Sequence, residues 1–380
     1  MIRNFTFFAE RPASVYKKSD PSIFIITFLL WSLGLITLYF TSAGHAVRFF
    51  DNSFHFVTRQ LMSSVVGFLL LIFFAYVKPE FIRRILPAIV FGSIILCLCT
   101  FLPGIGIERN GARRWIQIPY FSTFQPSECI KFSVILFLAN YFDKQADLPE
   151  SQKNIFPAVF GLFVFTSVVL IQQDFSTSVF ILLIGIVMFF ISGSKLKWIF
   201  PVSALAIPTM ALMVVLEPYR MNRIIGFLAQ DSFQQSHNYQ IIAAKKAISN
   251  GGIWGQGIGT GLVRVNNVPE VQSDYIFCGW VEAMGLFGVL IYFVLLGIFA
   301  FRVIKCAVSC GDRFSALCSL GFGASIVFQS LFNIAVVAGV LPSTGIPLPF
   351  FSSGGSSIVF CLAMCGFIIN ASRIKIVSEV

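Results

Sequence analysis

Residues 277–304 read FCGWVEAMGLFGVLIYFVLLGIFAFRVI, an apolar run broken by two charges, Glu282 and Arg302. A helix needs about 20 mostly apolar residues to cross the hydrocarbon core of a bilayer, and this run exceeds that. It is continuous rather than alternating, so it reads as a spanning helix and not as a barrel strand. Comparable runs recur on both sides, at 22–42, 58–77, 84–103, 128–142, 155–172, 175–193, 198–216, 313–340 and 355–373. The expected fold is an all-α polytopic membrane protein with ten transmembrane helices. The fourth run is short and contains Lys131, and the turn at 172–175 is tight. Composition agrees: of 380 residues 57% are hydrophobic and 12% charged, with mean hydropathy +0.84, whereas soluble domains carry about 25% charged residues. The first run follows a polar stretch and lacks a small-x-small cleavage site, so no cleavable signal peptide is expected.

Lys and Arg set the orientation. With the N-terminus in the cytoplasm, about sixteen of them fall in inside loops and tails and about four in short outside loops. Both termini are then cytoplasmic: residues 1–21 and 374–380 are tails, and 22–373 is one membrane domain. The large loop at about 217–277, between the seventh and eighth spans, lies outside. The net charge of +10 is mostly this topological signal, and no nucleic-acid partner is expected. The nine cysteines sit mostly within apolar spans, share no ligand spacing with the histidines and read as small buried hydrophobes. No internal repeat is visible, which weighs against a carrier.

Three outside segments can build a site together: Gly104–Ser127, Glu217–Phe277 and the Pro- and Gly-dense Ala338–Gly354. Within the long loop, Asn238–Ser249 has the spacing of an amphipathic helix with Lys245 and Lys246 on its polar side. The glycines from Gly251 to Gly261 fit neither a dinucleotide fingerprint nor a P-loop. They form either a flexible turn lying flat at the interface or a set of amides that contact a phosphate.

Ionisable groups inside or at the rim of a bilayer are costly and usually functional. Glu128 and Lys131 are spaced i, i+3 and can pair on one helix face, with Ser127 as cap and Pro126 at the start. They are either a structural pair, or Lys131 faces a cavity and touches an anionic substrate. Asp174 reads as an N-terminal carboxylate on the sixth helix. Glu282 is either a buried hydrogen-bonding partner of another span residue or part of an active cavity. Asp274 stands where loop meets the eighth helix, with Glu270 just before it, as either a cap or a catalytic group. Arg113, Arg114, Arg220 and Arg223 suit bidentate phosphate binding or headgroup contact. A carboxylate, several arginines and a path to the bilayer suggest a lipid-linked, phosphorylated substrate.

The blocks NGARRW, QPSECIK, YRMNRIIGF, NGGIWGQGIG, VPEVQSDYIF, EAMGLFG and Asn333–Ser357, in this order, resemble the SEDS family of bacterial cell-wall proteins, FtsW and RodA. NGARRW and Thr41-Ser42-Ala43 look more like FtsW, the division member, than like RodA, the elongation member. The resemblance implies a SEDS-type ten-helix fold and peptidoglycan glycosyltransferase activity on lipid II at the outer face of the bacterial inner membrane. The alternatives are an elongation polymerase, a lipid II flippase and a structural scaffold. It also implies a class B penicillin-binding protein as transpeptidase partner, besides the nascent glycan strand, membrane lipid and other division or elongation proteins. The family's essential acid falls on Asp274, with Glu270 as the block's other carboxylate, and its intramembrane Glu and Lys fall on Glu128 and Lys131. Asp274 is then a general base or the ligand of a divalent cation such as Mg or Mn; no organic cofactor is implied. The chain departs from the family pattern at Ser176 (usually Gly), Gln272 (His), Ser273 (Thr) and Ser353 (Tyr).

Overall fold

The computed structural model describes residues 14–109, 112–117, 123–149, 151–194, 221, 239–259, 268 and 270–376. The helices are α1 Pro21–Phe50, α2 His55–Tyr76, α3 Pro79–Cys99, α4 Pro126–Ala146, α5 Phe156–Ile171, α6 Phe175–Ile191, α7 Tyr239–Gly251, α8 Ile276–Val308, α9 Arg313–Val337 and α10 Gly355–Arg373. Every predicted span except the seventh falls on a helix. That seventh span, 198–216, lies outside the described residues, together with Arg220 and Arg223. Among the described residues six helices (α1–α3 and α8–α10) are long and apolar enough to cross a membrane, and α5 and α6 are shorter apolar helices. The chain is a multi-pass membrane protein.

The structure corrects several boundaries. α1 runs on to Phe50, because nothing breaks it before Asp51 adopts a left-handed conformation at its C-cap. α3 begins at Pro79 rather than 84, since proline is preorganised for the first helical position. The fold is also not purely helical. Ser14–Tyr16 (β1) pairs antiparallel with Ile374–Ile376 (β4), so the two tails meet. Gly106–Arg109 (β2) and Ala112–Ile116 (β3) form a hairpin in the first loop segment.

α10 is the central helix, nearly all of it buried. A side chain at Gly366 would sit 2.3 Å from the Leu71 carbonyl oxygen, so glycine is what lets α2 and α10 touch backbone to backbone. Near the end of α10, Asn370 donates to the Phe74 and Val77 carbonyls and Arg373 to that of Ala75, satisfying the orphan acceptors of the last turn of α2. At this end of the bundle Arg83 bridges Asp143 (2.6 Å) and Asp312 (3.1 Å), and Arg302 meets Asp20 (3.6 Å). At the opposite end, described parts of the outer segments meet: the Ser353 amide donates to the Gln272 carbonyl (2.8 Å), and the Gln125 amide donates to Ser356 Oγ (3.2 Å).

α8 is broken. Gly285 has φ 62° and ψ −157°, which interrupts the helical ladder. Residues 252–257 bond to four of the backbone groups beside it. Gln256 and Gly257 donate to the Glu282 and Ala283 carbonyls (2.8 and 3.1 Å), and Leu286 and Phe287 donate to the Gly252 and Ile253 carbonyls (3.0 and 3.4 Å). The glycine segment is therefore a plug docked into a helix break, not a flexible turn. A Cβ on Gly255 (φ 82°) would lie 2.2 Å from the Ala283 oxygen, whereas one on Gly252 (φ 53°) meets open space. Gly255→Ala should lower stability by about 2–4 kcal/mol, strain plus lost hydrogen bonds. Gly252→Ala should cost only the left-handed penalty of about 1–2 kcal/mol. Thermal unfolding in detergent compares the two, and equal shifts would refute the docking.

Candidate functional site

The predicted site turn is anchored before α8. Val271, Gln272 and Tyr275 are buried while Glu270 is exposed, with φ 52°. The Ser273 and Asp274 amides both donate to the Glu270 carbonyl (3.1 and 3.3 Å). Tyr275, not Asp274, occupies the N-cap position of α8. Asn333 of α9 donates to the Asp274 carbonyl (2.8 Å) and to that of Ile346 (2.9 Å). The Ser353 amide donates to the Gln272 carbonyl (2.8 Å). Gln60 of α2 donates to the Ser352 carbonyl and accepts from the Gly354 amide. Asp274 is half-buried, its Oδ2 about 3.5 Å from where a Cβ on Gly345 would stand. The acid thus faces the Pro- and Gly-rich segment, as the expected convergence of outer segments requires. Asn333→Leu leaves both carbonyls without that donor and should cost about 2–4 kcal/mol, readable as a lower unfolding midpoint.

Beneath this turn lies a second polar layer. Lys131 Nζ meets Glu128 Oε1 at 2.8 Å, with both side chains buried, and donates to Gln329 Oε1 at 2.8 Å. Gln329 Nε2 donates to the Pro347 carbonyl (2.9 Å). Gln329 and Asn333 are one turn apart on one face of α9, so two amides hold consecutive carbonyls of the same segment. One also reaches Asp274 and the other Lys131. The space beside the pair, lined by Ser325, Ser357 and Cys361 among others, is about 10 Å³, roughly one water.

The remaining predicted residues scatter around these layers. Asp174 is the N-cap of α6, accepting from the Thr177 amide (3.3 Å), as expected. It also accepts from Gln125 Nε2 (2.9 Å) and Ser127 Oγ (3.3 Å). Ser127 therefore does not cap α4, whose N-cap is Gln125; its hydroxyl is drawn off by the buried carboxylate. Arg114 donates to the Gln173 carbonyl (2.6 Å) and approaches Asp174 (3.8 Å), tying the hairpin to the α5–α6 corner. Arg113 pairs with Glu108 (3.1 Å), both about half exposed. Glu282 accepts from Asn250 of the loop helix α7 (3.0 Å). On α7, Lys246 is exposed, while Lys245 lies against Gly339. Glu270 Oε2 accepts from Gln272 Nε2 (3.2 Å).

Sequence reasoning missed Gln60, Gln329, Asn333 and Asn370. Each is an amide inside an apolar span, a signal as readable as an intramembrane charge. The departures Gln272 and Ser353, more than 80 residues apart, lie in contact.

A probable peptidoglycan glycosyltransferase FtsW from Geobacter sp. (strain M18) is 32% identical over 354 residues, covering 93% of this chain and 96% of the relative. Stage V sporulation protein E of Bacillus subtilis (strain 168) is 33% identical over 363 residues, covering 94% and 98%. A chain of a solved peptidoglycan synthase complex that coordinates polymerization and crosslinking shares the fold, with TM-score 0.75 at 24% identity and coverage of 93% and 98%. Residues 21–376 match the FtsW/RodA/SpoVE family of cell cycle proteins, and the chain belongs to that family.

Proposed function

We propose that this protein is a peptidoglycan glycosyltransferase that polymerises lipid II into glycan strands at the outer face of the cytoplasmic membrane, in septal wall synthesis. The observation that carries the reading is the Asp274 turn, held by Asn333 and Ser353 against the Gly345 segment at the loop end of the bundle. A half-exposed carboxylate on a fixed backbone suits a general base, which takes the proton of the acceptor hydroxyl as that oxygen attacks the anomeric carbon of the growing chain. Polyprenyl diphosphate leaves, and cations absorb its charge. Arg113 is one candidate, and Arg220 and Arg223 are the others. Among the described residues no group of three His, Cys, Asp or Glu forms a metal cluster. Asp274 and Glu270 share one turn, however, and hard carboxylates that leave positions for substrate phosphates suit Mg; such an ion would neutralise the diphosphate.

The buried Glu128–Lys131 pair supports this reading over a flippase. Each charge is already matched within the fold, Glu128 by Lys131 and Lys131 also by Gln329, which suits a structural pair better than a headgroup passage. A class B penicillin-binding protein is the proposed partner, and both tails are proposed to be cytoplasmic. Purified protein with lipid II, with and without that partner, tests the proposal. Glycan polymer is expected with the partner present. Transbilayer movement of lipid II without polymer would favour the flippase.

A further inference from the structure

The glycine plug in α8 presents an exposed apolar surface. Its side chains turn away from the protein: Ile253 is 64% exposed, Trp254 84% and Ile258 61%. The segment from Gly251 to Gly259 carries no charge. It adjoins Leu286, Phe287 and Leu290, the exposed apolar face of the spanning helix that it plugs. A loop in water can leave its backbone to solvent, but in hydrocarbon every amide and carbonyl needs a protein partner. Here four backbone hydrogen bonds join the break to the plug. The level can be counted. Arg302, paired with Asp20 at the termini end, marks one boundary of α8, and the unbroken helix from there back to Leu286 is about 17 residues, the short end of one hydrocarbon span. The break therefore sits at the opposite boundary, the level that Trp favours in membrane proteins.

We infer that Ile253, Trp254 and Ile258 form an interfacial anchor that inserts into the acyl chains at the loop-end boundary of the bilayer. Bilayer lipid is the partner of this surface. It fixes the plug, and through the plug the short helix Ile276–Met284 that follows Asp274. The inference does not depend on the catalytic reading. Full-length protein and Trp254→Phe are reconstituted in phosphatidylcholine bilayers, and their fluorescence difference isolates Trp254 from the other four tryptophans. Lipid brominated at acyl positions 6,7 should quench that difference at least twofold, and more strongly than lipid brominated at 11,12. Aqueous acrylamide should leave it nearly unchanged. Ile258→Trp in the Trp254→Phe background should behave alike, which guards against a local effect of one variant. Quenching by acrylamide but not by brominated lipid would place the loop in water. Quenching by neither would place it under protein. Either result overturns the inference.

Discussion

Asp274→Asn should abolish glycan polymerisation while leaving the protein folded and bound to its penicillin-binding partner. The substitution is nearly isosteric. The backbone bonds that set the turn, from Ser273 and Asp274 to Glu270 and from Asn333 to the Asp274 carbonyl, do not involve the carboxylate. The side chain keeps its shape and loses its charge and basicity. Loss of a general base costs about 10²–10⁴-fold, so polymer should fall by at least a hundredfold. Asp274→Glu keeps the charge but pushes it out by one methylene, and a misplacement of about 1 Å can cost about 10²-fold. Both variants should therefore fail on lipid II while co-purifying with the partner. Raising Mg across its working range should not rescue Asp274→Asn if the residue holds a proton, whereas partial rescue would assign it to a metal. Near-normal polymer from Asp274→Asn would eliminate both roles.

The spans were legible because the hydrocarbon requirement is local: a run of about 20 apolar residues is readable without knowing its neighbours. The helix break was not. Gly285 lies in such a run, and the groups that complete its hydrogen bonds come from residues 252–257, about thirty positions upstream. Asp174 was legible as a cap because its partner amide is three residues on. Ser127 was misread for the opposite reason, since its partner is a carboxylate 47 residues away. In the site, the charges were legible and the amides that hold them were not. Gln60, Gln329 and Asn333 decide where the Pro- and Gly-rich segment lies, and their meaning appears only once α2 and α9 stand beside it. Gln272 and Ser353 looked like separate departures from the family pattern; the fold makes them neighbours.

Lys131→Ala should destabilise the protein by about 3–5 kcal/mol, because it leaves Glu128 as a buried charge without its cation. Glu128 is 4% exposed and Lys131 3%, so the carboxylate left behind stays largely desolvated. Gln329 would lose its donor as well. Glu128→Gln combined with Lys131→Gln should behave differently. Two neutral amides keep hydrogen bonds to each other and to Gln329 while removing both desolvated charges, and replacing a buried ion pair as a unit is often close to neutral. The double variant should unfold within about 1–2 kcal/mol of the wild type. Its polymer yield per folded molecule should stay near normal, because both charges are already matched by one another and by Gln329. Thermal unfolding in detergent and the lipid II assay read the two quantities separately. A stable double variant that makes no polymer would show that the Lys131 charge reaches substrate, in a state where α4 and the Pro347 segment have moved apart.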